Sequence, residues 1–248
     1  MGLSTEQRGR FLRRVFGSAE FIRGQVRHCL WIGDEDLPEA MELDGIRKRV
    51  DGARAMRLGS PKSATVAAAE RPHRFGEIRQ TGSETVMIVP SVSSENREFL
   101  PFGYCEPGTI VTNLAFALLD APVWNMALIG SRLHLVWIGT VCGKLKTDFS
   151  YSNTLGWNTF PVPTLTEKNK ADLTASACDI LLAREAHFPA TIADLYDPEK
   201  MPENLRAAHD RNDETLERIY IGRRFRNDTE RLEKLFEMYT KMTTKVSA

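Results

Sequence analysis

Two side chains of opposite charge, Lys146 and Asp148, stand two residues apart in this 248-residue chain. In an extended strand such residues point to the same face, so an ammonium and a carboxylate would project together. This pair suits the edge of a G·C base pair, because lysine donates to guanine and aspartate accepts from the cytosine amino group. The alternative is an exposed salt bridge without function, which is the more common role of an arbitrary Lys-x-Asp sequence.

The charged pair lies in Val141 to Pro163, with the sequence VCGKLKTDFSYSNTLGWNTFPVP. Before it, from about Trp124 to Cys142, apolar residues recur at helical spacing. Gly143 follows where a helix is expected to end in left-handed backbone. The pair is therefore predicted to begin an extended segment directly after a helix.

The block GKLKTDFSYSNTLGWNTFPVP resembles part of the target recognition domain of MmeI-like adenine-specific DNA methyltransferases, the type IIL restriction-modification enzymes. Four more blocks resemble the same family in the same order. They are GSAEFIRGQVRHCLW (17–31), RPHRFGEIRQ (71–80), VPSVSSENREFLPFGY (89–104) and ADLYDPEKMPENLRAAHD (193–210). The resemblance covers nearly the whole chain, and the shared order argues against chance.

The resemblance and the sequence pattern together predict an α+β fold. Residues 1–163 would form a mixed strand/helix DNA target recognition domain, and residues 164–248 a small α-helical bundle. The resemblance implies double-stranded DNA and an upstream methyltransferase domain of the same protein as partners. It also implies S-adenosylmethionine as the cofactor of the parent enzyme, with no cofactor in this chain.

The predicted contact residues fall into two groups. By resemblance, the base-reading residues are Ser91, Asn113, Leu114, Lys146, Asp148 and Ser150. The predicted contacts to the DNA backbone are Lys62 and Arg79 in a basic segment, Ser93, Ser94 and Arg97 in a polar loop, and Lys144. The alternatives are a Ser-rich turn without function at 91–97 and a turn-capping role for Asn113.

Charge is distributed unevenly, although the formal net charge is zero. Residues 45–79 hold nine Lys or Arg against three acidic residues, a net charge of +6 that could neutralise phosphates. The alternative is an ordinary charged helix face. The absence of an overall basic balance slightly favours a second interpretation, in which the chain is a protein-binding or scaffold module.

Other classes of site find little support in the sequence. The four cysteines are far apart, and no Cys or His pairs have zinc spacing, so no metal is expected and reduced thiols are predicted. No apolar run is long enough to span a bilayer and no signal peptide is visible, which predicts a cytoplasmic protein without a membrane partner.

The motifs of the chemical step are missing as well. An adenine methyltransferase needs a glycine-rich loop and an Asn/Asp-Pro-Pro-aromatic motif, and Asn158 to Pro161 resembles the second only faintly. No catalytic residue is therefore predicted, although a self-contained enzyme with an unrecognised site stays open as a third interpretation.

Local patterns predict the secondary structure. Strands are expected at 85–89, 99–104, 109–112 and 115–119, and helices at 37–58 and 63–70. Residues 21–32 are expected to form a strand, or a turn at Gly24 followed by a strand. Three core-facing helices are expected after residue 163, with capping boxes at Thr164/Glu167 and Asn227/Glu230.

Overall fold

The computed structural model describes residues 2–246, which form eleven α-helices and nine short strands. The helices are α1 (Thr5–Phe11), α2 (Ser18–Arg23), α3 (Leu37–Glu42), α4 (Asp44–Leu58), α5 (Ser63–Ala67), α6 (Trp124–Ile129), α7 (Arg132–Val141), α8 (Glu167–Glu185), α9 (Ile192–Leu195), α10 (Glu203–Ile221) and α11 (Asp228–Val246). The strands are β1 (Leu12–Phe16), β2 (His28–Leu30), β3 (Val86–Pro90), β4 (Val92–Ser93), β5 (Gly103–Tyr104), β6 (Ile110–Val111), β7 (Ala115–Leu119), β8 (Lys144–Leu145) and β9 (Asp148–Ser150). The predicted α+β class is confirmed.

Residues 2–246 pack as two compact units, each assembled from separated stretches of chain. The first unit falls within Met1–Val15, Val26–Glu84 and Glu106–Ile110, and the second within Phe16–Gln25, Thr85–Cys105 and Val111–Ala248. The domain boundary predicted at residue 163 lies inside the second unit, and the division into domains at that residue stays a prediction.

The first unit is built around α1, α3 and α4. Ile46 and Val50, one helical turn apart, are both buried on α4. The helix expected at 37–58 is interrupted at Leu43, whose extended backbone ends α3 and precedes α4. The core side chains of this unit are Leu3, Phe11, Ile32, Ala40, Ile46 and Val50.

The second unit contains an antiparallel sheet in the order β5-β3-β7. All five residues of β3 are buried, as expected for a continuous apolar strand at the centre of a sheet. The strands predicted at 85–89 and 115–119 correspond to β3 and β7, which pair from Val86↔Leu119 to Pro90↔Ala115.

Three long helices, α8, α10 and α11, follow residue 163, and the predicted helical C-terminal part is confirmed. On α8, Leu173, Ala177 and Ile180 form one buried face. The start of α8 differs from the prediction, because Thr166 and Asn169 form the capping box. Asn227 accepts from the backbone N–H of Glu230 at 2.9 Å, as its predicted capping role requires.

The helix predicted from Trp124 to Cys142 is divided into α6 and α7. A Cβ on Gly130 would lie 2.2 Å from the Phe102 ring, so the chain between the two helices has room only for glycine. Ser131 then caps α7 by accepting from the backbone N–H of His134 at 3.1 Å. Gly143 lacks the expected left-handed backbone, since it is not among the described glycines of positive φ.

Of the strand, or turn and strand, predicted at 21–32, the turn at Gly24 and a short strand after it are present, and the part before Gly24 is helical. Ser18–Arg23 forms α2, which Gly24 ends in left-handed backbone at φ 63°, and only His28–Leu30 forms a strand. Glu20 explains the helix, because its carboxylate accepts from the backbone N–H of Gly17 at 2.9 Å. This cap outweighs the strand propensity of the neighbouring apolar residues.

A buried carboxylate on α10 makes the stability of the second unit depend on pH. Asp213 accepts from the backbone N–H of Arg132 at 2.7 Å, and burial raises the pKa of Asp213 to about 7. In the unfolded chain that pKa is about 4, so stability is highest below about pH 4 as far as this group is concerned. The contribution is lost as pH rises through about 7, because the folded state must then hold a buried charge.

We expect Asp213→Asn to flatten this dependence between about pH 4 and 7, because an amide oxygen still accepts from Arg132 and does not titrate. Urea midpoints at several pH values measure it, with the exposed Asp210→Asn on the same helix as the control. A wild-type slope in Asp213→Asn would contradict the assignment.

Candidate nucleic-acid interface

A tight hairpin carries the two charged residues Lys146 and Asp148. Strands β8 and β9 are antiparallel with Lys144 opposite Phe149 and Leu145 opposite Asp148. The loop between them is therefore only Lys146 and Thr147. The prediction that Lys146 and Asp148 share one face of a continuous strand is wrong, because Lys146 is the first loop residue and has a φ of 60°.

The hairpin belongs to a three-stranded sheet in the order β4-β9-β8. Val92 lies opposite Ser150, and Ser93 lies opposite Phe149. Directly paired residues project to the same face, and successive residues alternate. One face, which carries Ser93 and Phe149, packs inward, since Ser93 is only 3% exposed and Phe149 contacts the core.

The opposite face of this sheet, called here the outer face, carries Val92, Leu145, Asp148 and Ser150. Two of the six predicted base-reading residues thus lie on one surface, with Lys146 in the loop at its end. Asp148 is held by the backbone N–H of Glu95, which donates to its Oδ1 at 3.3 Å.

Several residues predicted to contact the DNA backbone lie in or beside the same sheet. Arg97 donates to the Ser93 hydroxyl at 3.4 Å, and half-burial lowers the pKa of Arg97, an effect partly offset by Asp148 and Asp197. Lys144 lies 3.9 Å from a Glu95 carboxylate oxygen and 5.7 Å from the centre of the Phe149 ring.

Two of the nominated serines serve the protein itself. The Ser93 hydroxyl is buried and used by Arg97, and the Ser94 hydroxyl accepts from the backbone N–H of Asn96 at 3.3 Å. Burial leaves Ser93 a role in positioning the half-buried Arg97, whereas Lys144 is exposed to solvent.

The remaining base-reading candidates meet at a turn beside this sheet. Asn113 and Leu114 are the exposed central residues of the turn that the Ala115 N–H closes by donating to Thr112 O at 3.1 Å. Ser91 joins it, since its hydroxyl donates to Leu114 O at 2.6 Å. Its backbone O also accepts from Tyr151 N–H at 2.8 Å, so the turn adjoins the end of β9.

Ser18, which is not among the residues predicted from the sequence, connects Ser91 with the turn at Leu114. Its hydroxyl accepts from the backbone N–H of Ser91 at 2.9 Å and donates to Leu114 O. Only its place in the block at 17–31 hinted at this role. The structure thus brings Ser91, Asn113, Leu114, Lys146, Asp148 and Ser150 into one region of the second unit.

A buried histidine supports this region from beneath. His134 on α7 lies 3.1 Å from the Tyr151 hydroxyl through its Nε2, and Tyr151 directly follows β9. Complete burial lowers the pKa of His134 to about 3, so the ring is neutral at physiological pH. A neutral ring packed between Tyr151, Trp157 and Phe160 holds the strand without bringing a charge to the surface.

Lys62 and Arg79 belong to the first unit. Lys62 is exposed immediately before α5, and Arg79 forms an exposed ion pair with Glu77 at 2.5 Å. Fewer guanidinium groups of the basic segment 45–79 are free to contact phosphates than the number of its arginines suggests. Arg57 donates to the carbonyls of Ala68, Arg71 and Arg74, and Arg71 and Arg74 both pair with Asp34.

Two negative findings hold for residues 2–246. No group of three or more His, Cys, Asp or Glu side chains is placed to hold a metal ion. No helix combines the length and apolar character needed to cross a membrane.

The described geometry and the comparisons with known proteins define the class of the chain, a target recognition domain followed by a helical C-terminal domain. Residues 1–164 match the family model described as "MmeI, target recognition domain", and residues 165–247 match "MmeI, C-terminal domain". The chain therefore belongs to the MmeI family.

Two relatives show how much of a longer protein this chain matches. It is 36% identical over 233 residues to DNA methyltransferase A of Bacillus subtilis (strain 168), covering 94% of this chain and 26% of that protein. It also matches the structure of the type IIL restriction-modification enzyme MmeI in complex with DNA, with TM-score 0.89 and 32% identity, covering 94% of this chain and 31% of that one. The chain spans about a quarter of the curated relative.

The backbone of Lys146 allows its function to be separated from its effect on stability. Left-handed backbone costs a residue with a Cβ about 1 kcal/mol, and glycine avoids that cost. Glycine also gains about 0.5–1 kcal/mol of freedom in the unfolded chain, which opposes the benefit. We expect Lys146→Gly to leave urea stability unchanged or raise it by up to about 1 kcal/mol, although it removes the ammonium.

Lys146→Ala is the matched control, because it also removes the ammonium but keeps the Cβ and its backbone cost. Urea unfolding of the 248-residue chain compares the two variants. If glycine were less stable than alanine at this position, Lys146 would not carry backbone strain.

Proposed function

We propose that this chain is the DNA-recognition module of a type IIL restriction-modification enzyme that methylates adenine. It binds duplex DNA and reads base edges, while a methyltransferase domain elsewhere in the same protein performs the chemistry. The observation that carries this is convergence: base-reading candidates from residues 91, 113–114 and 146–150 adjoin one another in the second unit. The match to a 32%-identical protein solved with DNA supports the same function.

The outer face and its loop offer the chemistry that base recognition needs. Lys146 has three N–H donors and no acceptor, whereas the ionised Asp148 has only acceptors. Together they match the guanine acceptors and the cytosine amino group of one base pair. Ser150 and Asn113 add short polar groups, and Lys144 and Arg97 add charges suited to phosphates.

S-adenosylmethionine is proposed as a cofactor of the parent enzyme, bound outside this chain. The residues present do not fit it. The turn between β1 and α2 has one glycine, and a Cβ there would lie 3.0 Å from both Glu20 Oε2 and Thr112 Oγ1. A single, tightly packed glycine does not form the glycine-rich loop that this cofactor needs, and no catalytic residue is proposed in the chain. We also propose that the parent enzyme works in the cytoplasm.

Binding of the purified chain to a fluorescent duplex of about 30 base pairs, at several salt concentrations, tests the proposal. We expect non-specific affinity of roughly 10⁻⁴ to 10⁻⁶ M at physiological salt, strengthening as salt is lowered. We also expect no methyl transfer from labelled S-adenosylmethionine. Absence of DNA binding even at low salt would instead support the alternative of a protein-binding or scaffold module, which the zero net charge slightly favours.

A further inference from the structure

An apolar side chain stands exposed among the polar residues of the outer face. Leu145 is 58% exposed and lies opposite Asp148 in the hairpin. Since paired residues project together, its side chain lies beside the carboxylate predicted to accept from a cytosine amino group. Its sequence neighbours, Lys144 and Lys146, are exposed cations.

The leucine side chain has no hydrogen-bonding group, so its favourable contact with a base edge must be with an apolar feature of that edge. The apolar feature that base edges present in the major groove is the C5-methyl group of thymine. Cytosine gains the same group when it is methylated at C5. A leucine next to Asp148 on the same short hairpin would meet such a methyl on a base pair adjacent to the one that Asp148 reads.

We infer that Leu145 is a specificity residue that packs against the C5-methyl group of a pyrimidine adjacent to the base pair read by Lys146 and Asp148. The inference rests on the proposed function and extends it from polar contacts to an apolar one. Leu145 excludes water from that methyl group and so favours a pyrimidine that carries it.

Every base pair contains one pyrimidine, so the whole recognition site can be scanned for this contact. In the complete enzyme, each thymine of the site is replaced by uracil and each cytosine by 5-methylcytosine, one at a time. We expect one position next to the Lys146/Asp148 pair where the methyl group improves binding about fourfold, the worth of burying one methyl. Competition binding between paired duplexes measures the ratio.

The variant Leu145→Ala should reduce that ratio to about one, while unfolding in urea shows the fold intact. Leu182→Ala is the matched control, because Leu182 is 63% exposed on α8 and lies outside the predicted interface. Leu182→Ala should keep the fourfold ratio. Leu114→Ala tests whether Leu114 makes the methyl contact instead, since Leu114 is also 58% exposed and is itself a predicted base-reading residue.

Three outcomes would overturn the inference. The methyl group could have no effect at any position, the effect could survive Leu145→Ala, or it could disappear only in Leu114→Ala. In all three cases site-selective binding would persist and the proposed function would stand. An enzyme without any preferred site would contradict the proposed function and this inference together.

Discussion

The double variant Lys146→Glu with Asp148→Arg is expected to change the preferred base pair from G·C to C·G at one position of the recognition site. Glutamate would face the guanine acceptors and arginine the cytosine amino group, and both contacts would be repulsive. Reversing the base pair restores both. Each contact between a charged side chain and a base contributes about 1–3 kcal/mol of discrimination, so the swing over two contacts is large.

The hairpin is expected to tolerate this exchange. Glutamate and lysine have the same backbone and Cβ, so the cost of left-handed backbone at position 146 is unchanged. Asp148→Arg loses the bond from the Glu95 N–H, which is worth about 1 kcal/mol. That loss is small compared with the change in base preference, and urea unfolding accounts for it.

Methylation of a randomised site library by the complete enzyme, followed by sequencing of the modified sites, measures the change. Lys144→Glu is the control, since Lys144 is an exposed cation on the same hairpin and a predicted phosphate contact. It should weaken binding to all sequences without changing the preferred site. Survival of the wild-type preference at every position of the double variant would make Lys146 and Asp148 an ordinary surface pair.

Glu217→Ala is expected to destabilise the second unit by about 3 kcal/mol, because it removes a buried carboxylate and leaves Arg231 to its second partner, the more exposed Asp228. Glu217 is 1% exposed, and Arg231 on α11 donates to it through Nε at 2.7 Å while being 13% exposed itself. The same carboxylate accepts from the backbone N–H of Phe225 at 3.0 Å. It therefore joins α10, the following turn and α11.

Urea unfolding followed by tryptophan fluorescence measures this loss, because Trp124, Trp137 and Trp157 lie in the second unit. Glu214→Ala is the matched control on the same helix, where an exposed pair with Arg218 should contribute at most about 1 kcal/mol. Equal losses for both variants would show that the buried pair has no special weight.

The sequence by itself determined the family, the α+β class and the helical C-terminal part. Local signals sufficed for these. The continuous apolar run of β3 and the repeated apolar positions of α8 each define a buried face without reference to distant residues. Sequence blocks that follow the order found in the family identify it from residue types alone.

Tertiary structure alone decided how the site is arranged. Lys146 was predicted in a strand because alternation favours one, and its left-handed backbone became visible only once Leu145 paired with Asp148. The outer face follows from the pairing of β4 with β9, which lie more than fifty residues apart. Ser18 gained its role from the carbonyl of Leu114, 96 residues away, and Arg57 from that of Arg74, 17 residues away. Such contacts depend on long-range packing, which no local pattern of residues encodes.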